Sequence, residues 1–308
     1  MLEHSPLVTI VVLTYHRFDR IQNNLESIAR QDYANIEVLI QDDGSPNFDR
    51  DYLEGLCQST LGNRKWLVHQ NEKNVGTVKS FNTAISMANG ALVFPLSQDD
   101  RFYREDAVTK LVTFFEEHPD CVSCTAYRMG ERSKKVYPNS EDARLLKSWD
   151  RNELWCRIVY ENFISGSTIY YRTDFMKKRG GFDTDFLLVE DYPFAASMIL
   201  ENHKIGFLDE ITIVYGEDGL STSMSKGEKM LADRMVFYEK YIVPNEEWIG
   251  YRWIKAYIAH LYGDIQCGQN LAKRILHNLR HWKVVVRLLY EKYIKRLNVE
   301  ERYHLWKQ

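Results

Sequence analysis

The sequence predicts an α/β protein: an open, mostly parallel sheet with helices on both faces, followed by a C-terminal helical region. Three observations carry this. Short β-branched apolar runs alternate with helical patterns from the amino terminus to about residue 120, as repeated βα units require. The first run, Leu7 to Leu13, is apolar at nearly every position, which suits a strand covered on both faces. From Ser225 onward, helical spacing replaces the strand signals.

Taken in order, Ile21, Leu25 and Ile28 place a helix over Arg20 to Arg30, and Ile36 to Ile40 is a second strand ending in Gln41, Asp42, Asp43, Gly44 and Ser45. Tyr52, Leu53 and Leu56 mark a second helix, and Lys65 to His69 a third strand. Asn74 and Gly76 turn the chain into a helix from Thr77 to Ala88, which Asn89 and Gly90 stop. A fourth strand then runs from Ala91 toward Asp100. Cys121 to Met129 reads as another strand, Gly130 to Lys147 as polar and irregular, and Trp149 to Tyr160 as helix. Phe163 to Tyr171 alternates like a strand, Gly180 and Gly181 form a turn, Glu190 to Glu201 is a short helix and Ile205 to Tyr215 a closing strand. The expected boundary separates residues 1–222 from a helical region, 223–308.

Composition narrows the function classes. With 308 residues, 44% hydrophobic and 27% charged, the chain can bury a sizeable core. A net charge of -3 argues against a nucleic-acid partner held by the overall field. No apolar run is long enough for a spanning helix, and the first one follows Glu3 and His4 rather than a basic segment, so a cytoplasmic protein is expected. Five cysteines at irregular spacing fit reduced thiols, and the lone Cys121/Cys124 pair has no second ligand pair to make a zinc site.

Chemistry concentrates at acidic strand ends. Ala91 to Asp100 reads ALVFPLSQDD, an apolar strand stopping at two adjacent carboxylates. In open α/β folds ligands sit beyond the carboxyl ends of strands. Adjacent carboxylates repel, so water, a cation or a base-bearing partner must offset them, and a hard divalent metal is the natural occupant. The alternative is a solvated acidic turn. Asp42 and Asp43 repeat the arrangement at the second strand, and Glu190 with Asp191 opens a later helix, where acids are favoured in any case. There is no GxGxxG, GxxxxGK or HExxH, which removes the support for dinucleotide, P-loop and zincin sites.

The ordered segments TIVVLTYHR, IEVLIQDDGS, NEKNVGTVKSFNTAI, GALVFPLSQDD, GGFD and VEDYPFAASM resemble the inverting glycosyltransferases of family 2 with the GT-A fold. The likeness runs from about residue 7 to residue 222, and only the ordered set is specific. It implies transfer of a sugar from a nucleotide-sugar donor, a UDP-sugar in the first place, to a glycan or lipid-linked acceptor in surface polysaccharide synthesis, with Mn2+ or Mg2+ as cofactor. By resemblance Asp99 is the last acid of the DxD motif and the metal ligand, and Asp100 assists through water or ribose. Asp43 reads the nucleobase, unless it serves only as an N-cap. Thr14 and Tyr15 border the donor, as do Asn74, Gly76 and Lys79, with Asn82 closing that segment. Asp191 is the catalytic base, and Glu190, Ser165 and Gly166 border the acceptor. Three departures stand out: Ser97 replaces a common Asp, Phe81 a common Arg, and Asp218 a common His. Their extreme reading is a non-catalytic scaffold that keeps the fold.

Gln269 to Gln308 carries ten Lys or Arg against three Glu, with Leu271, Ile275, Leu279, Trp282, Val286 and Leu289 at helical spacing. Such a helix either lies on an anionic membrane surface or packs its stripe on protein.

Overall fold

The alternation of apolar runs and helical patterns translates directly into parallel strands joined by helices. The computed structural model describes residues 5–217 and 227–308. Asp218 and most of the expected boundary segment lie outside the described residues. The described chain divides into two compact units, one drawn from Met1–Trp149 and Ile164–Met230, the other from Asp150–Phe163 and Leu231–Gln308.

The first unit opens with β1 (Val8–Thr14), α1 (Ile21–Ala29), β2 (Ile36–Asp42), α2 (Arg50–Thr60), β3 (Lys65–Gln70), α3 (Thr77–Met87) and β4 (Leu92–Ser97). There follow β5 (Arg101–Phe102), α4 (Ala107–Glu117), β6 (Cys121–Gly130), β7 (Val136–Tyr137) and α5 (Ser140–Ser148). After α6 (Arg151–Tyr160), which belongs to the other unit, come β8 (Tyr170–Arg172), α7 (Thr173–Lys178), α8 (Asp191–Glu201) and β9 (Lys204–Tyr215). The sheet order is β3-β2-β1-β4-β8-β6-β9-β5, with β7 on β6. β3, β2, β1, β4, β6 and β9 run one way, and β8, β5 and β7 run against them. The mostly parallel sheet read from the sequence is therefore present.

Burial explains the order. Val8, Ile10 and Val12 of β1 join Ile36, Val38 and Ile40 of β2 under the fully buried Ile21, Leu25 and Ile28 of α1. Each such side chain contributes roughly 1.5–3 kcal/mol by leaving water. From β1 the chain moves outward to β2 and β3, then returns to place β4 on the other side of β1. The direction of travel reverses between β1 and β4, and that reversal opens a crevice at their carboxyl ends. On β4, β8 pairs only with Leu92 and Val93, so the end of that strand, with Pro95, has no ladder on that side among the described residues.

Two stretches differ from the sequence reading. Residues 163–171 form a loop with a 3-10 turn, Gly166–Thr168, and only Tyr170–Arg172 is strand. The polar segment before Trp149 contains α5, capped by Asn139, whose side chain accepts from the Glu141 and Asp142 N–H groups.

The second unit consists of α6, α9 (Glu228–Phe237, from Leu231 onward), α10 (Arg252–Cys267), α11 (Leu271–Arg280), α12 (Trp282–Leu289) and α13 (Val299–Trp306), with short irregular turns between. Leu154 to Tyr160 of α6 are all buried, the mark of a helix surrounded by others. Tyr160 stacks near Tyr257 and Tyr303, with ring centroids 4.8 and 5.2 Å apart. Buried Glu291 is paired by Arg287 at 2.8 Å and by the Trp306 indole N–H at 2.6 Å, which offsets its desolvation.

Candidate active site

The carboxyl ends of β1 and β4 open into a cleft of about 620 Å³ that also reaches the α3 amino terminus, a volume suited to a small-molecule ligand. Thr14, Tyr15, Asp43, Asn74, Gly76 and Asp99 line it together with Glu190 from the acceptor set, so the topology gathers most of the donor residues expected from the sequence. Lys79 does not: it is exposed on α3, outside the cleft lining. Asn82 is turned toward the GGFD loop, donating to the Phe182 carbonyl at 2.9 Å and accepting from its N–H at 2.7 Å. Phe81 is buried against Phe182 and Tyr171, so an aromatic core contact stands where the resemblance leads one to expect Arg.

At the end of β2 the two aspartates divide their work. Asp42, fully buried, accepts from the Thr14 hydroxyl at 3.0 Å and from the Ser45 N–H and hydroxyl at 2.7 and 2.6 Å. Asp43 accepts from the Val75 and Gly76 N–H groups at 2.9 and 3.0 Å and from the Asn71 amide at 3.0 Å. It thereby fixes the turn that starts α3. The N-cap alternative is not what the structure holds, since α2 is capped by Asp49. Gly44 and Gly76 both have positive φ, 71° and 89°, and a Cβ on either would strike backbone, of Lys73 or Leu187.

At the end of β4 the division is similar but less complete. Asp100 is almost wholly buried and accepts from the Gly216 N–H at 2.8 Å, while its Oδ2 has no partner among the described residues. Burial, with Asp99 alongside, pushes its carboxyl well above the ordinary value. Asp100 lines a separate small polar cavity with Asp99, Arg20, Arg101 and Glu131. Asp99 faces both cavities, and its carboxylate accepts no hydrogen bond from any other described residue. Burial raises its pKa, opposed by Arg17 and Arg20.

Three contributors escaped the sequence reading. Arg17 and Arg20 follow β1 directly and line the cleft, bringing positive charge to a site otherwise rich in carboxylates. A basic pair just beyond a strand end was the available signal. Buried Asn24 on α1 donates to the Ser97 carbonyl at 2.8 Å and the Asp100 carbonyl at 2.9 Å, gripping the turn that presents Asp99 from both sides.

Glu190 lines the cleft, and Asp191 follows it as the first residue of α8. Asp191 Oδ2 accepts from the Gly166 N–H at 2.9 Å, and Oδ1 from the Tyr192 N–H at 2.7 Å. Gly166 packs closely on both acids: a Cβ there would fall 2.9 Å from Glu190 Oε1 and 3.2 Å from Asp191 Oδ2. Ser165 and Ser167 hydroxyls meet at 3.0 Å beside it. Asp99 and Glu190 thus border one cleft, while Asp191 adjoins Glu190 at the start of α8 and is not among the residues that line it.

No group of three or more His, Cys, Asp or Glu among the described residues is arranged to hold a metal ion. Among the described residues that line the cleft, Asp99 offers a carboxylate that accepts no hydrogen bond from another of them. One carboxylate fits a cation that takes its remaining oxygens from water and substrate phosphates, as Mg2+ commonly does. It does not fit a metal site formed in advance.

Comparison with known proteins follows this geometry. Over 218 residues the chain is 28% identical to the uncharacterized glycosyltransferase EpsJ of Bacillus subtilis, covering 69% of this chain and 62% of EpsJ. It is 22% identical over 250 residues to the putative colanic acid biosynthesis glycosyl transferase WcaA of Escherichia coli, covering 78% and 83%. With EpsJ and an uncharacterized glycosyltransferase of Haemophilus influenzae the match spans only 62% and 58% of the relative's length. Its fold is similar to that of the mannosyltransferase PcManGT of Pyrobaculum calidifontis, solved with GDP-Man and Mn2+ (TM-score 0.65, 16% identity, 99% of this chain and 84% of that one). Staphylococcus aureus TarS 1-349, solved with UDP-GlcNAc, is similar as well (TM-score 0.56, 18% identity, 96% and 77%). These likenesses agree with the GT-A architecture. The family description Glycosyl transferase family 2 matches residues 9–180, more than half of the sequence, and the chain belongs to that family.

Proposed function

We propose that the chain is a metal-dependent, inverting glycosyltransferase that moves a sugar from a nucleotide donor, in the first place a UDP-sugar, to a glycan or lipid-linked acceptor in surface polysaccharide synthesis. The observation that carries this reading is the single cleft lined by Asp43, Asp99 and Glu190 at the strand reversal, with Asp191 adjoining. Relatives named for colanic acid and teichuronic acid biosynthesis support the acceptor class. The GDP-Man and UDP-GlcNAc complexes of similar folds support the donor class.

Each residue then has a task. Asp43 keeps acceptor capacity on Oδ2, which takes one N–H among the described residues, and receives a ring N–H of the base. Arg17 and Arg20 attract the diphosphate. Asp99 would hold a divalent cation jointly with the diphosphate, and that cation supplies Lewis-acid stabilisation of the departing nucleotide. Asp191, fixed by two backbone N–H groups, takes the proton of the acceptor hydroxyl as its oxygen bonds to the anomeric carbon. The bond to the diphosphate oxygen breaks on the opposite face, so the configuration inverts. The decisive experiment is a screen of nucleotide sugars for metal-dependent hydrolysis or transfer. Activity lost in Asp191→Asn supports the proposal, while nucleotide binding without any turnover across the screen supports a scaffold.

A further inference from the structure

The α11 and α12 helices of the second unit leave their apolar stripes uncovered. Leu271, Ile275 and Leu279 on α11, and Trp282, Val286 and Leu289 on α12, are each at least half exposed, Leu271 reaching 71%. Tyr290, Tyr293 and Ile294 continue the pattern in the turn that follows, with Ile294 70% exposed. Steps of three and four residues put each set on one side of its helix. Across both helices only Val284 is buried, so the stripes face outward and the attachment to the unit is narrow. Exposed apolar area of this extent on a soluble surface marks an interaction site.

Charge identifies the occupant. Between residues 271 and 298 there are eight Lys or Arg and a single acid, Glu291, which is buried against Arg287 and Trp306. Arg274 is paired with Asp264, and Arg287 with Glu291. Lys273, Arg280, Lys283, Lys292, Lys295 and Arg296 are exposed and have no carboxylate partner among the described residues. Lys283, Lys292 and Lys295 lie over the rings of Trp282, Tyr293 and Tyr290, 5.1 to 5.7 Å from their centroids. A second copy of the chain would bring the same cations face to face with these. An anionic lipid surface instead accepts the apolar stripe among its acyl chains, the indole and phenol rings at its interface and the ammonium groups among its headgroups. No described helix is long and apolar enough to cross a membrane, so the contact is one of lying on the bilayer.

We propose that α11, α12 and the turn after them form a docking surface for anionic lipid bilayers. The claim rests on the second unit alone and is measured apart from nucleotide binding, so either reading can fail without the other. The test is co-sedimentation of the full chain with vesicles of phosphatidylcholine, with and without phosphatidylglycerol. Partition into the anionic vesicles is expected to exceed that into the neutral ones by about a thousandfold or more, on the order of what several juxtamembrane cations supply, and to fall as salt is raised. The triple variant Lys283→Gln, Lys292→Gln, Lys295→Gln should lose about a hundredfold of that partition, and Leu279→Ser with Trp282→Ser should lose most of it. These side chains are exposed, so the variants should fold, which an unchanged thermal midpoint checks. No preference for anionic vesicles at low salt, or wild-type partition by the triple variant, overturns the proposal. So does a stable dimer in solution that Leu279→Ser dissociates.

Discussion

The ends of β2 and β4 carry the same Asp-Asp dipeptide on the same edge of one sheet, and they use it differently. In each pair one aspartate is spent on structure: Asp42 on Thr14 and Ser45, Asp100 on the Gly216 N–H. The partners of the other two diverge. Asp43 is held by three N–H donors, whereas Asp99 receives none from another described residue. A carboxylate fixed on three sides has a set orientation and suits recognition. One without protein partners suits a charge that arrives with the substrate. The contrast teaches that the cleft is rigid on the side that the proposed function assigns to the base and open on the side that it assigns to the diphosphate.

The strongest way to break this comparison is at Asp99. Asp99→Ala should remove metal-stimulated turnover by more than about a thousandfold, as loss of a metal ligand does, while the thermal midpoint stays near wild type. Asp191→Asn should lower kcat by about 10²- to 10⁴-fold with nucleotide binding intact, read by steady-state kinetics beside a binding titration. Asp43→Ala should act on two fronts. It should weaken donor binding and also destabilise the fold by about 1–3 kcal/mol, because buried N–H groups of the α3 turn lose their acceptor. A stability loss confined to Asp43→Ala and absent from Asp99→Ala would sharpen the contrast, and equal losses would erase it.

Smaller effects test the supports. Asn24→Ala should raise the metal concentration needed for half-maximal activity severalfold, since the Ser97 and Asp100 carbonyls lose their shared donor. Glu131 bridges Arg20 and Arg101 at 2.6 and 2.5 Å, and Arg101 first, with Arg20, holds its carboxyl below the ordinary 4.5. A depressed carboxyl stabilises the fold above that ordinary value and loses the contribution as pH falls through the lower, folded-state value. The stability difference between wild type and Glu131→Gln should therefore be flat above pH 4.5 and shrink below it, as thermal melts across pH would record.

Where periodicity is local, the fold is legible from the residues. β1, β2 and β4 appear within a residue or two of the apolar runs that predict them, because strands buried on both faces need apolar residues at nearly every position. The α5 helix hid in a polar stretch although Asn139, Glu141 and Lys147 mark its two ends, since only Ala143 and Leu146 supply buried apolar contacts. Membership of α6 in the second unit depends on packing with residues about a hundred positions away, such as Tyr257 and Tyr303, which no local pattern carries. The site divides the same way. Asp43, Asp99 and Glu190 stand out as acids at element ends, but Asn24 holds the Asp99 turn from the middle of a helix, where an asparagine carries no signal of its own.

The central claim is that Asp99 and a nucleoside diphosphate together recruit a divalent ion. Calorimetric titration of wild type and Asp99→Ala with UDP, in the presence and absence of Mn2+, tests it most directly. The account predicts no binding of Mn2+ alone, at least tenfold tighter UDP binding when Mn2+ is present, and loss of that difference in Asp99→Ala, consistent with joint ligation by one carboxylate and phosphate oxygens. UDP affinity that is indifferent to the ion in wild type, or equally ion-dependent in Asp99→Ala, would contradict it.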